Sequence, residues 1–381
     1  MSANREFYKK PLGLIPFYIP HAGCPQQCIF CNQHRIASDG VLAVQSDIRK
    51  TIKDYVGTKR QEKYWEVAFY GGSFTALPVS LQEQLLEPAY EALQSGEIDG
   101  IRCSTRPDAL GQEAIDRIKA YGIDTVEIGV QSMDDAILLR SKRGHTAADV
   151  VDAVGRLKDN GLRVGIQLLP GLPGESWHTL VNTAVQIGRL KPDFGRIYPV
   201  LVIEDTELAE QTKAGLYTPL SVEQAVAYSA FLKTYLEGKG IYIIRTGLQS
   251  TEELDEGVSL VGGPYEPAMG EMVINHQWRL RIENLVRTLV ANEGRMEHNE
   301  SSDYIESNEN VSDCDTMTCI EDRIIRITYP RSLTSKVRGL KKSNMKYFKE
   351  SYPLLQWHWV EDNTVPDTHV MVLWKHLSYV L

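Results

Sequence analysis

Three thiols fall within the eight residues Cys24-Pro25-Gln26-Gln27-Cys28-Ile29-Phe30-Cys31, separated first by three residues and then by two. Thiolates this close on a short loop can converge on one metal centre. An iron–sulfur cube held entirely by protein takes four cysteines. With three, one iron keeps an open position for a small molecule. Two other readings use the same residues: a structural zinc site with His21 or His34 as fourth ligand, or three buried thiols with no metal at all.

The loop follows an apolar run at 14–19 that reads as a strand. Further strand-like runs occur at 66–70, 100–104, 125–130, 163–169, 195–202 and 241–245, with amphipathic helical patterns between them at 81–94, 112–121, 147–160, 176–190 and 222–237. This alternation predicts parallel strands joined by helical crossovers, hence an α/β chain. It suits a partial or complete (β/α) barrel, whose chemistry sits at the carboxyl ends of the strands. Polar groups recur at those ends. Gly71-Gly72-Ser73 lets a backbone approach a ligand closely, although a tight strand-to-helix turn uses the same residues. Arg106 can pair with a carboxylate or be solvated in its turn. Glu127 lies within a strand, where a charge requires a partner. Ser104, Gln131, Arg143 and Gln167 complete the rim. A lone glutamine in a core strand is an ordinary hydrogen-bonder; several polar residues at successive strand ends argue for a site.

With 381 residues, 43% hydrophobic composition and net charge −9, the chain reads as a cytoplasmic protein of one large and one smaller domain, without a membrane span or secretory leader. The global charge disfavours nonspecific nucleic-acid binding by the whole surface, but the charge is unevenly distributed. Residues 297–322 carry nine acids and no Lys or Arg, and read as a linker with Cys314 and Cys319 as plain thiols. Residues 323–349 carry nine Lys or Arg and no acid. The expected domains are therefore a barrel with a helical extension at 1–296, the acidic linker, and a basic α/β module at 323–381. A helix over 334–350 would align Arg338, Lys342, Lys346 and Lys349 along one face. Arg338, Lys341, Lys342 and Lys346 are candidates for RNA phosphate contact.

The three-then-two cysteine spacing, with Phe30 before the last cysteine, resembles the radical S-adenosylmethionine (SAM) superfamily. Phe69-Tyr70-Gly71-Gly72-Ser73-Phe74-Thr75, Ser104-Thr105-Arg106-Pro107-Asp108, Glu127-Ile128-Gly129-Val130-Gln131-Ser132, Arg143-Gly144-His145-Thr146 and Arg196-Ile197-Tyr198-Pro199 then follow in order. Together they resemble the radical domain of the Elongator catalytic subunit, and more closely its short bacterial relatives, over about residues 10–270. The resemblance implies a [4Fe–4S] cluster on Cys24, Cys28 and Cys31. It implies SAM contacts from Phe30, Gly71, Gly72, Ser73, Ser104, Arg106, Gln131, Arg143 and Gln167. It also implies reductive cleavage of SAM to a 5′-deoxyadenosyl radical, an external electron donor, and a tRNA substrate. No residue is assigned as catalytic acid or base. The first cysteine interval is shorter than Elongator's, and the stretch after residue 270 is too short for its acetyltransferase domain, so no acetyl-CoA partner is expected. The Gln-Ser after Gly-Val also resembles oxygen-independent coproporphyrinogen oxidase, which makes a small-molecule substrate the alternative.

Overall fold

The computed structural model describes residues 10–19, 24, 28–32, 45–57, 62–248, 259–300 (side chains to 291), 323–375 and 377–381. The chain forms two compact units, Met1–Pro267 and Ala268–Leu381. Among the described residues no helix is long and apolar enough to cross a membrane.

In the first unit, β1 (Leu12–Ile19) is followed by α1 (Gln45–Val56), β2 (Tyr64–Gly71), α2 (Val79–Gln94), β3 (Gly100–Thr105) and α3 (Gln112–Ala120). The chain continues through β4 (Ile123–Gln131), α4 (Asp135–Arg140), α5 (Ala147–Asp159), β5 (Arg163–Leu168), α6 (Trp177–Leu190) and β6 (Phe194–Ile197). Then come β7 (Val202–Ile203), α7 (Glu207–Lys213), α8 (Val222–Glu237), β8 (Tyr242–Thr246) and β9 (Leu260–Gly262). Seven strands pair in parallel in the order β1-β2-β3-β4-β5-β6-β8, an open, curled half-barrel. Alternation along β1 shows how the faces divide. Gly13, Ile15, Phe17 and Ile19 are buried, and the last three join the apolar core, while Leu12, Leu14, Pro16 and Tyr18 keep partial exposure. That core draws on the helices through stripes such as Ile48, Ile52 and Val56 of α1, spaced one turn apart.

The expected strand at 195–202 is two strands. β6 ends at Ile197, and β7 pairs antiparallel with β9 in a separate sheet. Pro199 between them has no N–H to give a ladder. Helices α1, α4 and α7 were not anticipated; α4 and α7 span only six and seven residues, and α1 is largely polar.

The second unit begins with α9 (Met269–Glu300), followed by β10 (Ile324–Tyr329), α10 (Thr334–Arg338), α11 (Ser343–Ser351), β11 (Gln356–Glu361), β12 (Met371–Trp374) and β13 (Leu377–Val380). The sheet order is β11-β10-β12-β13, with β10 and β11 parallel and the other pairs antiparallel. Trp278, Ile282, Val286 and Leu289 make a stripe on α9 that packs into one cluster with Ile325, Ile327, Phe348, Val372 and Trp374. The expected barrel domain extended to 296, whereas the division into compact units falls at Pro267 and leaves α9 in the second unit. Most of the expected acidic linker, with Cys314 and Cys319, lies outside the described residues.

The single helix expected over 334–350 is broken. Gly339 takes φ +78°, and Lys341 and Lys342 follow at +51° and +63°. A Cβ on residue 339 would stand 2.4 Å from Ser343 Oγ, so only glycine fits there. Arg338 therefore does not share a helical face with Lys342 and Lys346. Its guanidinium instead donates to the Tyr329 hydroxyl and lies 5.5 Å from that ring's centre.

Candidate active site

The cysteine loop is pinned where β1 ends. Cys31 N donates to Cys28 O at 3.1 Å, Ile29 N to Ser141 O at 3.3 Å, and Leu208 N to Ile29 O at 2.8 Å. Asn32 Nδ2 donates to Glu204 O at 3.0 Å. Ile29 is buried among Ile137, Leu169, Leu172, Val202 and Leu208, with Phe30 packed at the edge of that cluster. Segments far apart in sequence thus hold residues 28–32 in place. Cys28 is buried, Cys24 and Cys31 partly so. Arg143 Nη1 donates to Cys28 Sγ at 3.2 Å, while Nη2 donates to Gly129 O at 2.7 Å. A positive charge beside a sulfur is the sign an anionic metal–thiolate group requires.

At the end of β2, Gly72 N donates to Ile19 O at 2.8 Å, which draws the glycine pair against the end of β1. Gly71 has φ +108°, and a Cβ there would meet Ile19 O at 2.9 Å. Ser73 is buried with Oγ 3.6 Å from Cys24 Sγ. A Gly71→Ala variant combines a disfavoured backbone angle with a backbone clash, and should lower stability by about 1–3 kcal/mol. Chemical denaturation checks this; an unchanged midpoint would show that the β1–β2 junction yields.

The neighbouring strand ends bring charged and polar groups together. Arg106 is 3% exposed. Its Nε and Nη2 donate to Asp108 at 2.9 and 3.0 Å, which supplies the carboxylate that the sequence suggested, but Nη1 is buried without a partner. Gln131 takes φ +71°, and its Oε1 is likewise buried and unpaired. A Cβ on Gly129 would lie 2.9 Å from Gln131 Nε2 and 3.1 Å from Arg143 Nη2, so this glycine makes room for both. Ser104 and Gln167 lie half-buried on β3 and β5. Thr146, which closes the Arg143–Thr146 stretch, is the N-cap of α5, in a capping box with Asp149.

His145 is buried with Nε2 3.3 Å from Val130 O and Nδ1 unpaired. Burial, then the charges of Arg143 and Arg106, push its pKa down from 6.5 to about 4. The folded value is the lower one, so the unfolded chain binds a proton that the fold refuses. Stability should therefore fall as pH drops from 6.5 towards about 4. In a His145→Gln variant the slope of unfolding free energy against pH should flatten in this window. A slope equal to wild type would mean that the imidazole protonates freely in the fold.

The Radical SAM superfamily profile matches residues 18–187, and the Radical_SAM C-terminal domain profile matches residues 192–279. The chain belongs to the radical SAM superfamily. It is 32% identical over 191 residues to a tRNA uridine(34) acetyltransferase of Methanocaldococcus jannaschii, covering 45% of this chain and 35% of that one. It is 28% identical over 304 residues to an uncharacterized protein of the same organism, covering 76% and 88%. The solved structure of archaeal Methanocaldococcus infernus Elp3 with an N-terminal deletion superposes with TM-score 0.57 at 24% identity, over 70% of this chain and 62% of that one, a likeness of fold. The chain thus spans about a third of the length of the named acetyltransferase.

A radical SAM enzyme implies a [4Fe–4S] cluster and SAM, and the residues fit them. Three thiols share one loop, a guanidinium faces one sulfur, and a buried donor (Arg106 Nη1) and acceptor (Gln131 Oε1) lack protein partners. Among the described residues no three His, Cys, Asp or Glu gather as they would around a single metal ion. A cube needs no such convergence, because each thiolate binds a different iron. His21 and His34, on which the zinc reading depended, lie outside the described residues.

Below the mouth, the interior of the enzyme's half-barrel is ionic. Glu127 accepts from Arg196 Nε at 2.6 Å, Arg102 Nη1 at 3.0 Å and the Tyr70 hydroxyl at 2.9 Å. Arg196 also donates to the hydroxyls of Tyr70 and Tyr198 at 3.0 and 3.2 Å. Arg102 Nε reaches Glu66 at 2.5 Å, and Arg163 bridges Glu66 and Asp124 at 3.0 and 2.6 Å. Glu127 was anticipated to need a partner; Gly129 and Arg196 stood inside the quoted motifs without an assigned role, and Arg102 and Ser141 were not singled out.

Proposed function

We propose that this radical SAM enzyme modifies RNA, with tRNA as substrate. Cys24, Cys28 and Cys31 would hold the [4Fe–4S] cluster and leave it one open position for SAM. Phe30, Gly71, Gly72, Ser73, Ser104, Arg106, Gln131, Arg143 and Gln167 form the SAM pocket. When bound, cluster and SAM supply one-electron cleavage to methionine and a 5′-deoxyadenosyl radical. The chain's own part is to bind, orient and exclude water. Arg143 holds Cys28 in place, the glycines at 71 and 72 admit a ligand against the backbone, and Arg106 Nη1 and Gln131 Oε1 await polar partners. The observation that carries the site is this buried, unpaired donor and acceptor close to Arg143 and the cysteine loop.

Two observations favour tRNA. The named relative with 32% identity over 191 residues acts, by its name, on tRNA uridine 34. The second unit carries nine Lys or Arg over 323–349 without one acid. The test is anaerobic reconstitution with iron and sulfide, then incubation with SAM, a reductant (dithionite or a protein electron donor) and bulk tRNA. Expected are tRNA-stimulated 5′-deoxyadenosine and a mass-shifted nucleoside after digestion. A stimulation seen with small-molecule pools and absent with tRNA would overturn the reading in favour of a small-molecule substrate.

A further inference from the structure

We propose that the β10–α10–turn–α11–β11 unit is a clamp for the phosphate backbone of single-stranded RNA, with Lys341, Lys342 and Lys346 as its gripping cations. The inference deepens the RNA reading above and rests on it for the class of ligand. Two parallel strands, β10 and β11, are bridged by two helices that meet at Gly339-Leu340-Lys341-Lys342. KH modules place a short glycine-bearing loop where single-stranded nucleic acid is clamped along its backbone. Here the stretch opens with glycine and closes with lysine.

The turn is built rigidly. Gly339 is buried at φ +78°, and a Cβ there would also stand 2.8 Å from Asn344 N. Asn344 Nδ2 donates to Val337 O at 3.1 Å and to Asn275 O at 2.8 Å, tying the turn to α9. Lys341 and Lys342 both take left-handed backbone angles, which cost roughly 1–2 kcal/mol per residue unless the residue is glycine or, less often, asparagine. This chain places lysine at both positions and leaves both side chains exposed. Lys346 is exposed one turn into α11. None of the three forms an ion pair with a described residue. Two cations on a rigid turn and a third on the helix that follows it, none paired with a described residue, are complementary to a run of phosphates. Duplex RNA is read across broad minor-groove surfaces, whereas a turn this short spans only a few nucleotides. Arg338 is not a member, because its guanidinium is engaged on Tyr329.

The test uses the full chain, with fluorescence anisotropy against a labelled unstructured RNA of ~12 nucleotides and a duplex of equal length. In a Lys341→Asn, Lys342→Gly double variant both new residues accept the left-handed backbone, so the fold is kept while two charges go. Affinity for the single strand should fall at least tenfold at ~0.1 M salt. The slope of log affinity against log salt should shrink by about 1.4, at roughly 0.7 for each phosphate no longer neutralised. A Lys341→Arg, Lys342→Arg variant should bind as wild type does. Unchanged single-strand affinity in the Asn/Gly variant would overturn the clamp. So would equal binding of single strand and duplex, or charge-dependent capture of polyglutamate in place of RNA. If single-strand affinity falls as described but no RNA is ever modified, the clamp stands and the substrate reading fails. If tRNA is modified while the Asn/Gly variant binds normally, the reverse holds.

Discussion

A Cys28→Ala protein should lose bound iron and 5′-deoxyadenosine formation together, as should Cys24→Ala and Cys31→Ala. A cube with three protein ligands has no spare thiolate, so removing one leaves two irons open and the cluster unsupported. Cys28 is the most enclosed of the three and the one that Arg143 contacts, which makes its loss the most damaging to the loop. Cys103 is the internal control. It lies fully buried on the core face of β3, where burial and then the Glu127 charge push its thiol pKa well above the usual range. Such a thiol is inert, and Cys103→Ala should keep the iron and the turnover at a modest cost in stability. Iron per chain and chromatographic 5′-deoxyadenosine are the two readouts. A Cys24→Ala protein that still cleaves SAM at the wild-type rate would sink the ligand assignment. Zinc in place of iron in protein prepared without oxygen would favour the structural site.

Local pattern carried much of this fold and less of its site. Strands at 66–70, 100–104 and 125–130 were legible because apolar runs end at turn residues, and the strand-end positions of Gly71, Arg106 and Gln131 followed from them. Long-range pairing was not legible. Arg143 and Cys28 are separated by 115 positions, and nothing in Arg143-Gly144-His145-Thr146 announces a sulfur partner. The break at Gly339 was visible as a glycine, but the alternation of Val337, Leu340 and Phe348 with lysines mimics one continuous amphipathic helix. Only the clash that a Cβ would make with Ser343 shows that the chain must turn there. Arg102, which is 1% exposed, lies in an unremarkable strand sequence, and its two carboxylates come from β2 and β4.

That interior gives the second large effect. Glu127→Ala should destabilise the fold by roughly 3–5 kcal/mol, because Arg196 would lose the carboxylate it is paired with inside the barrel and Arg102 would lose one of its two. For a unit of this size the melting temperature should fall by roughly 6–20 °C. Burial alone would raise the Glu127 pKa, but Arg196 and then Arg102 outweigh it and hold the carboxyl below its ordinary 4.5. A depressed folded value means that this stabilisation is present above pH 4.5 and is lost as pH falls through the folded value. Wild type should therefore lose this increment on acidification, while Glu127→Gln, which has no proton to gain, should not. A paired Glu127→Leu, Arg196→Met variant separates stability from function. Replacing both charges by apolar groups commonly restores stability, yet Tyr70 and Tyr198 lose the guanidinium that fixes their hydroxyls. This variant should melt close to wild type and turn over its substrate poorly. If it were as active as wild type, the ionic interior would serve only the fold. If Glu127→Ala melted within about 2 °C of wild type, less than the loss of one kcal/mol, the network would not be what holds the half-barrel's interior together.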